Sequence, residues 1–97
     1  MNRLTFDFFT FARKQEGEVL RTAEQGLPYA VRSDRDRLTF TPAASGKPRL
    51  ENETSVCSVL TKYATSHSAL PADYSKLSSN APYIVPLVEA FFAQRDA

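Results

Sequence analysis

Between Pro28 and Pro42 apolar and polar residues alternate in two short runs. Tyr29 and Val31 share one face with Ala30 and Arg32 on the other, and Leu38 and Phe40 alternate with Arg37, Thr39 and Thr41. Alternation with period two marks strands that bury one face. Pro28 restricts Leu27 to extended backbone and so opens the first run. Pro42 closes the second, and Ser33-Asp34-Arg35-Asp36 between them is a polar turn whose aspartates can bond nearby amides. The pattern predicts a hairpin with strands at about 29–33 and 37–41, preceded by a short strand at about 18–22 (EVLRT) and a turn carrying Gly26.

The second half of the chain has a different period. Val56, Val59, Leu60, Tyr63 and Ala64 follow the three-four spacing of an amphipathic helix over about 53–66, with Asn52 as its N-cap and Glu53 facing the positive end of its dipole. Leu70, Tyr74 and Leu77 suggest a short helix at about 71–77 behind Pro71. Ile84, Leu87, Val88, Phe91 and Phe92 form the cleanest apolar stripe of all, on a helix over about 80–95 that Asn80 can cap and Pro86 can bend. The N-terminal NRLTFDFFTFA reads two ways. Leu4, Phe6 and Phe8 alternate as in a strand, while Leu4, Phe8, Phe11 and Ala12 share a helical face; the helix is preferred, with Gly17 at its terminating turn. Two or three short strands need a covering layer. The predicted fold class is therefore α+β, a small antiparallel sheet of two or three strands packed against helices. Between hairpin and helix, Ala43 to Arg49 reads as a loop of small residues ending in Ser45-Gly46-Lys47-Pro48-Arg49.

Ninety-seven residues build one hydrophobic core, so a single domain over 1–97 is expected. Hydrophobic content of 42% with 24% charged residues excludes disorder as the default. A net charge of +1 demands no nucleic acid, membrane or acidic substrate by itself, but its distribution is uneven. Up to Arg49 there are nine Lys/Arg against six Asp/Glu, and after it three against five. The one cysteine, Cys57, excludes an intrachain disulfide and a multi-cysteine metal site, which fits a cytoplasmic address. No apolar run reaches the ~18–20 residues of a membrane span, and the N-terminus lacks the apolar core of a signal peptide.

Candidate chemistry is sparse. His67 has no Cys or His at ligand spacing, so no metal and no cofactor is expected. Cys57 falls in the helical periodicity and reads as a buried, inert thiol. Ser45-Gly46-Lys47 lacks the first glycine and the following helix of a phosphate loop. Four N-terminal phenylalanines, Phe6, Phe8, Phe9 and Phe11, read as core, the alternative being an aromatic platform for bases. What remains is electrostatic: Arg32, Arg35 and Arg37 around the hairpin turn, with Lys47 and Arg49 in the loop after it, against Asp34 and Asp36. A basic hairpin and loop can track a phosphate backbone, which arginine binds in bidentate fashion. The expected function is thus a non-enzymatic binding or regulatory module contacting nucleic acid through Arg32, Arg35, Arg37, Lys47 and Arg49. The alternative is a protein-interaction or self-association module that uses the edge strand at 18–22 or the C-terminal helix. An enzyme ranks third and would need a pocket around His67 or Cys57. The nucleic-acid reading expects Arg32, Arg35, Lys47 and Arg49 on one face.

Overall fold

The computed structural model describes residues 1–96 of the chain. Their order is α1 (Arg3–Lys14), β1 (Leu20–Arg21), β2 (Pro28–Asp34), β3 (Arg37–Pro42), β4 (Arg49–Asn52), α2 (Glu53–Ser66), a 3-10 turn (Pro71–Tyr74) and α3 (Ala81–Arg95). The four strands form one antiparallel sheet in sequence order, β1-β2-β3-β4. The class is α+β with an N-terminal helix, as the periodicities predict.

Four expectations are corrected. The sheet has four strands where two or three were expected, because Arg49–Asn52 pairs with β3 (Phe40↔Arg49, Leu38↔Glu51) instead of leading directly into a helix. Its single apolar residue, Leu50, faces solvent, so no alternation announces it. The strand expected at 18–22 shrinks to the two residues Leu20–Arg21, since only Leu20↔Tyr29 and Arg21↔Pro28 pair. The helix expected at 71–77 is one 3-10 turn: Pro71 removes an amide from its start and no side chain caps it, while the Tyr74 hydroxyl is bound to the Ser68 carbonyl at 2.7 Å. The hairpin is tighter than expected, since both strands extend to the opposed pair Asp34↔Arg37 and leave a two-residue turn, Arg35-Asp36.

Local chemistry accounts for the helices. The Asn2 side chain accepts from the Thr5 amide at 2.8 Å and starts α1; Arg13 and Lys14 meet the negative end of its dipole. Asn52 does the same for α2 through the Ser55 amide at 2.8 Å. This helix stops at His67, whose φ of 54° and amide bond to the Tyr63 carbonyl close it in a left-handed turn.

All three helices lie on one side of the sheet. Val31, Leu38 and Phe40 from the strands meet Phe8, Phe9 and Ala12 of α1, Val56, Val59 and Leu60 of α2, and Ile84, Leu87, Val88 and Phe91 of α3 in one buried cluster. Phe8 and Phe91 meet edge to face at 5.4 Å, and Phe92 stacks on Tyr63 at 5.0 Å, so both rings of the Phe91-Phe92 pair serve the core. The opposite face of the sheet is left to solvent.

Candidate nucleic-acid interface

Register fixes what that open face carries. Across β2, β3 and β4 the outward residues form rows: Arg32, Thr39 and Leu50; Asp34, Arg37 and Asn52; and, at the far end, Ala30 beside Thr41. The inward rows, Val31-Phe40-Arg49 and Ser33-Leu38-Glu51, belong to the core side. Strand geometry gives this split directly, because successive side chains point to opposite faces.

The five predicted basic residues divide accordingly. Arg32 and Arg37 lie on the open face as diagonal neighbours on adjacent strands, positions ~7–8 Å apart in an antiparallel pair. Their side chains are 74% and 57% exposed. Each approaches one carboxylate loosely, Arg32 Nε at 3.7 Å from Asp34 and Arg37 Nε at 4.0 Å from Asp36. Exposed ion pairs of this kind contribute ~0–1 kcal/mol, so they hold neither guanidinium back from another anion. Arg35 occupies the tip and makes no ion pair among the described residues. The three arginines thus run from mid-strand to tip.

Lys47 and Arg49 do not join them. The β3–β4 loop lies at the end of β3 remote from the tip, and six residues of strand separate the two ends by ~20 Å. In that loop Gly46 takes a φ of +66° and the Lys47 amide donates to the Ser45 hydroxyl, which makes a turn and no phosphate cradle. Arg49 falls on the inward side, opposite Phe40. Its guanidinium donates to Asn80 Oδ1 at 2.7 Å and to the Ser79 carbonyl at 3.2 Å and lies over the Tyr83 ring at 5.5 Å. The expectation of Arg32, Arg35, Lys47 and Arg49 on one face is not met.

Arg49 belongs to a polar lock that periodicity does not reveal. Asn80 donates from Nδ2 to the Leu50 carbonyl and to Glu51 Oε1, both at 2.9 Å. Glu51, buried with 4% exposure, also accepts from the Ser78 hydroxyl, and that hydroxyl in turn accepts the Asn80 amide at 3.0 Å. The segment before α3 thereby covers part of the free edge of β4. Of Ser78, Ser79 and Asn80 the sequence singles out only Asn80, as the expected cap of the C-terminal helix, and its side chain makes no cap bond there.

Between the hairpin tip and the start of α2 opens a cleft of about 410 Å³ whose lining includes Asp36, Arg37, Asn52 and Glu53. Asp36 and Glu53 set carboxylates beside Arg37 there, Glu53 pairing with the Met1 amine at 3.4 Å, while the Glu51 carboxylate is held by Ser78 and Asn80. Cys57 is half-buried and accepts weakly from Asn2 Nδ2 at 3.5 Å, while His67 lies ten residues on at the other end of α2, ~15 Å away at helical rise. They form no catalytic pair. Among the described residues no group of three or more His, Cys, Asp or Glu could hold a metal, and no helix is long and apolar enough to cross a membrane. No protein-family model, no curated protein and no solved structure matches this chain.

Proposed function

We propose that the protein is a non-enzymatic binding module that contacts nucleic-acid phosphates through Arg32, Arg35 and Arg37 of the β2–β3 hairpin. The observation that carries this reading is their alignment: two exposed guanidinium groups on diagonal positions of the open face and a third at the tip beside them. Hydroxyls of Thr39 and Thr41 and the amide of Asn52 line the same face and suit phosphate and sugar oxygens. Lys47 acts at most as a separate contact at the far end, and Arg49 serves the fold. The test is a titration of isotopically labelled protein with a short mixed-sequence oligonucleotide at low and moderate salt. Salt-sensitive amide shifts over 32–37 are expected, and silence there at low salt would refute the reading.

A protein partner is the second reading, favoured by Val19, 70% exposed just before the two-residue edge strand β1, and Leu27, 51% exposed just before its neighbour β2. The apolar stripe of α3 is already buried, so the edge is the place to look. Sedimentation or partner capture that responds to Leu27→Glu and not to Arg35→Ala distinguishes this reading.

A further inference from the structure

We propose that Cys57 is a modification site, at which a small disulfide with uncharged, hydroxyl-bearing arms transfers one arm to the thiol within the cleft between the first turns of α1 and α2. That cleft, of about 360 Å³, shares no residue with the hairpin. Helical spacing assembles it. Asn2 and Thr5 of the α1 end lie three residues apart, and Thr54, Cys57 and Ser58 of α2 lie three and four apart, so each set occupies one helix face. The two faces meet at the thiol. Asn2 Oδ1 is committed to the Thr5 amide at 2.8 Å, which turns Nδ2 toward α2, where it donates to Cys57 Sγ at 3.5 Å. The capping bond of α1 thereby aims a donor at the sulfur, the atom that carries the charge when a thiol attacks. Cys57 is half-buried and open to the cleft.

A second observation, independent of the thiol, points to a ligand. Thr5 lines the cleft although it is only 1% exposed, and its hydroxyl is the one buried side-chain polar atom among the described residues with no hydrogen-bond partner. Buried hydroxyls ordinarily have one. The Ser58 hydroxyl donates to the Thr54 carbonyl at 3.1 Å and keeps its lone pairs for a donor. An arm that ends in a hydroxyl suits both groups, while the Glu53 carboxylate in the same lining disfavours an acidic arm. The exchange balances. Cys57 gives up its proton and its sulfur bonds one sulfur of the disulfide, the disulfide's own S–S bond breaks, and the second arm leaves as a thiolate that takes up the proton. The Cys57 sulfur is oxidised and the departing sulfur is reduced.

The experiment treats the full chain with hydroxyethyl disulfide or with diethyl disulfide, whose arms lack the hydroxyl, and times mixed-disulfide formation at Cys57 by mass spectrometry. The ratio of the hydroxyethyl rate to the ethyl rate should exceed that of free cysteine by about fivefold, the worth of one hydrogen bond. Thr5→Val, which keeps the shape and removes the unpartnered hydroxyl, should slow the hydroxyethyl reaction about fivefold and leave the ethyl reaction unchanged, and Thr5→Ser should restore the rate. A parent ratio equal to that of free cysteine overturns the proposal and leaves Cys57 an ordinary thiol. Equal slowing of both disulfides by Thr5→Val overturns it as well, since Thr5 then acts through packing and not on the arm.

Discussion

Tyr29 shows how much one side chain can couple. It comes from β2 with its ring in the core, meets Phe40 and Tyr83 edge to face at 6.0 and 5.2 Å, and donates its hydroxyl to the Tyr83 carbonyl at 2.6 Å. Burial pushes its phenol well above the ordinary value of 10.0. Below pH ~10 folded and unfolded chains both keep that proton. Above it only the unfolded phenol ionises, so stability falls as pH rises, by at most ~1.4 kcal/mol per pH unit for this group. Tyr29→Phe should cost about 1 kcal/mol at pH 8 through the lost hydrogen bond. It should also lose less stability than the parent between pH 9 and 11, which urea denaturation at the three pH values will read. Parallel decline of the two proteins would remove Tyr29 as the cause. Arg49 is the converse case at the same scale: a basic side chain in a basic stretch of sequence that the register turns inward, onto Tyr83 and Asn80.

At the level of elements, the two asparagines before helices play different parts. Asn52 caps α2, and Asn52→Ala should cost ~1 kcal/mol, the usual value of a cap. Asn80 makes no side-chain cap bond to α3 at all; it ties β4 to the segment before α3. Asn80→Ala leaves the Leu50 carbonyl, Glu51 and Arg49 each short of a partner, and should cost about 2–4 kcal/mol in a chemical denaturation series. A loss no greater than that of Asn52→Ala would mean that water replaces the lock. Pro86 likewise has a use outside its own helix. With no amide it cannot bond the Pro82 carbonyl, which accepts instead from the Ala23 amide at 3.1 Å and anchors the β1–β2 turn to α3. Pro86→Ala restores a competing donor, so faster hydrogen exchange at the Ala23 amide is expected. These elements also show what the sequence makes legible. α2 and α3 are readable because long apolar stripes repeat at helical spacing, and β2 and β3 because they alternate over six or seven residues. β4 is not, because its inward side chains are Arg49 and Glu51, a strand face made of charge whose partners lie some thirty residues away.

On the scale of the whole molecule, a net charge of +1 conceals a local arrangement that only folding produces. The arginines of the hairpin are legible as a group from sequence because they lie within six residues, whereas Lys47 and Arg49 lie near them in sequence and apart from them in space, one at the opposite end of β3 and one on the inward side. The proposed nucleic-acid contact therefore counts three cations, not five. Counterion release turns that count into a number: three phosphate contacts to duplex DNA give a slope of about −2.7 in log K against log salt, or a loss of about forty-fold between ~50 and ~200 mM. Five contacts would give about −4.5. Arg32→Ala, Arg35→Ala and Arg37→Ala should each flatten the slope by about 0.9, while Lys47→Ala and Arg49→Ala leave it near the parent value. Asp34 and Asp36 stand among the three arginines and oppose the same phosphates. The double variant Asp34→Asn, Asp36→Asn should bind several-fold tighter at low salt, with the slope set by the same three cations. A fluorescence titration over four salt concentrations measures all of these at once. A slope that responds to Lys47 as much as to Arg35 would show that the phosphate path runs the length of the sheet and that the hairpin tip is not its centre.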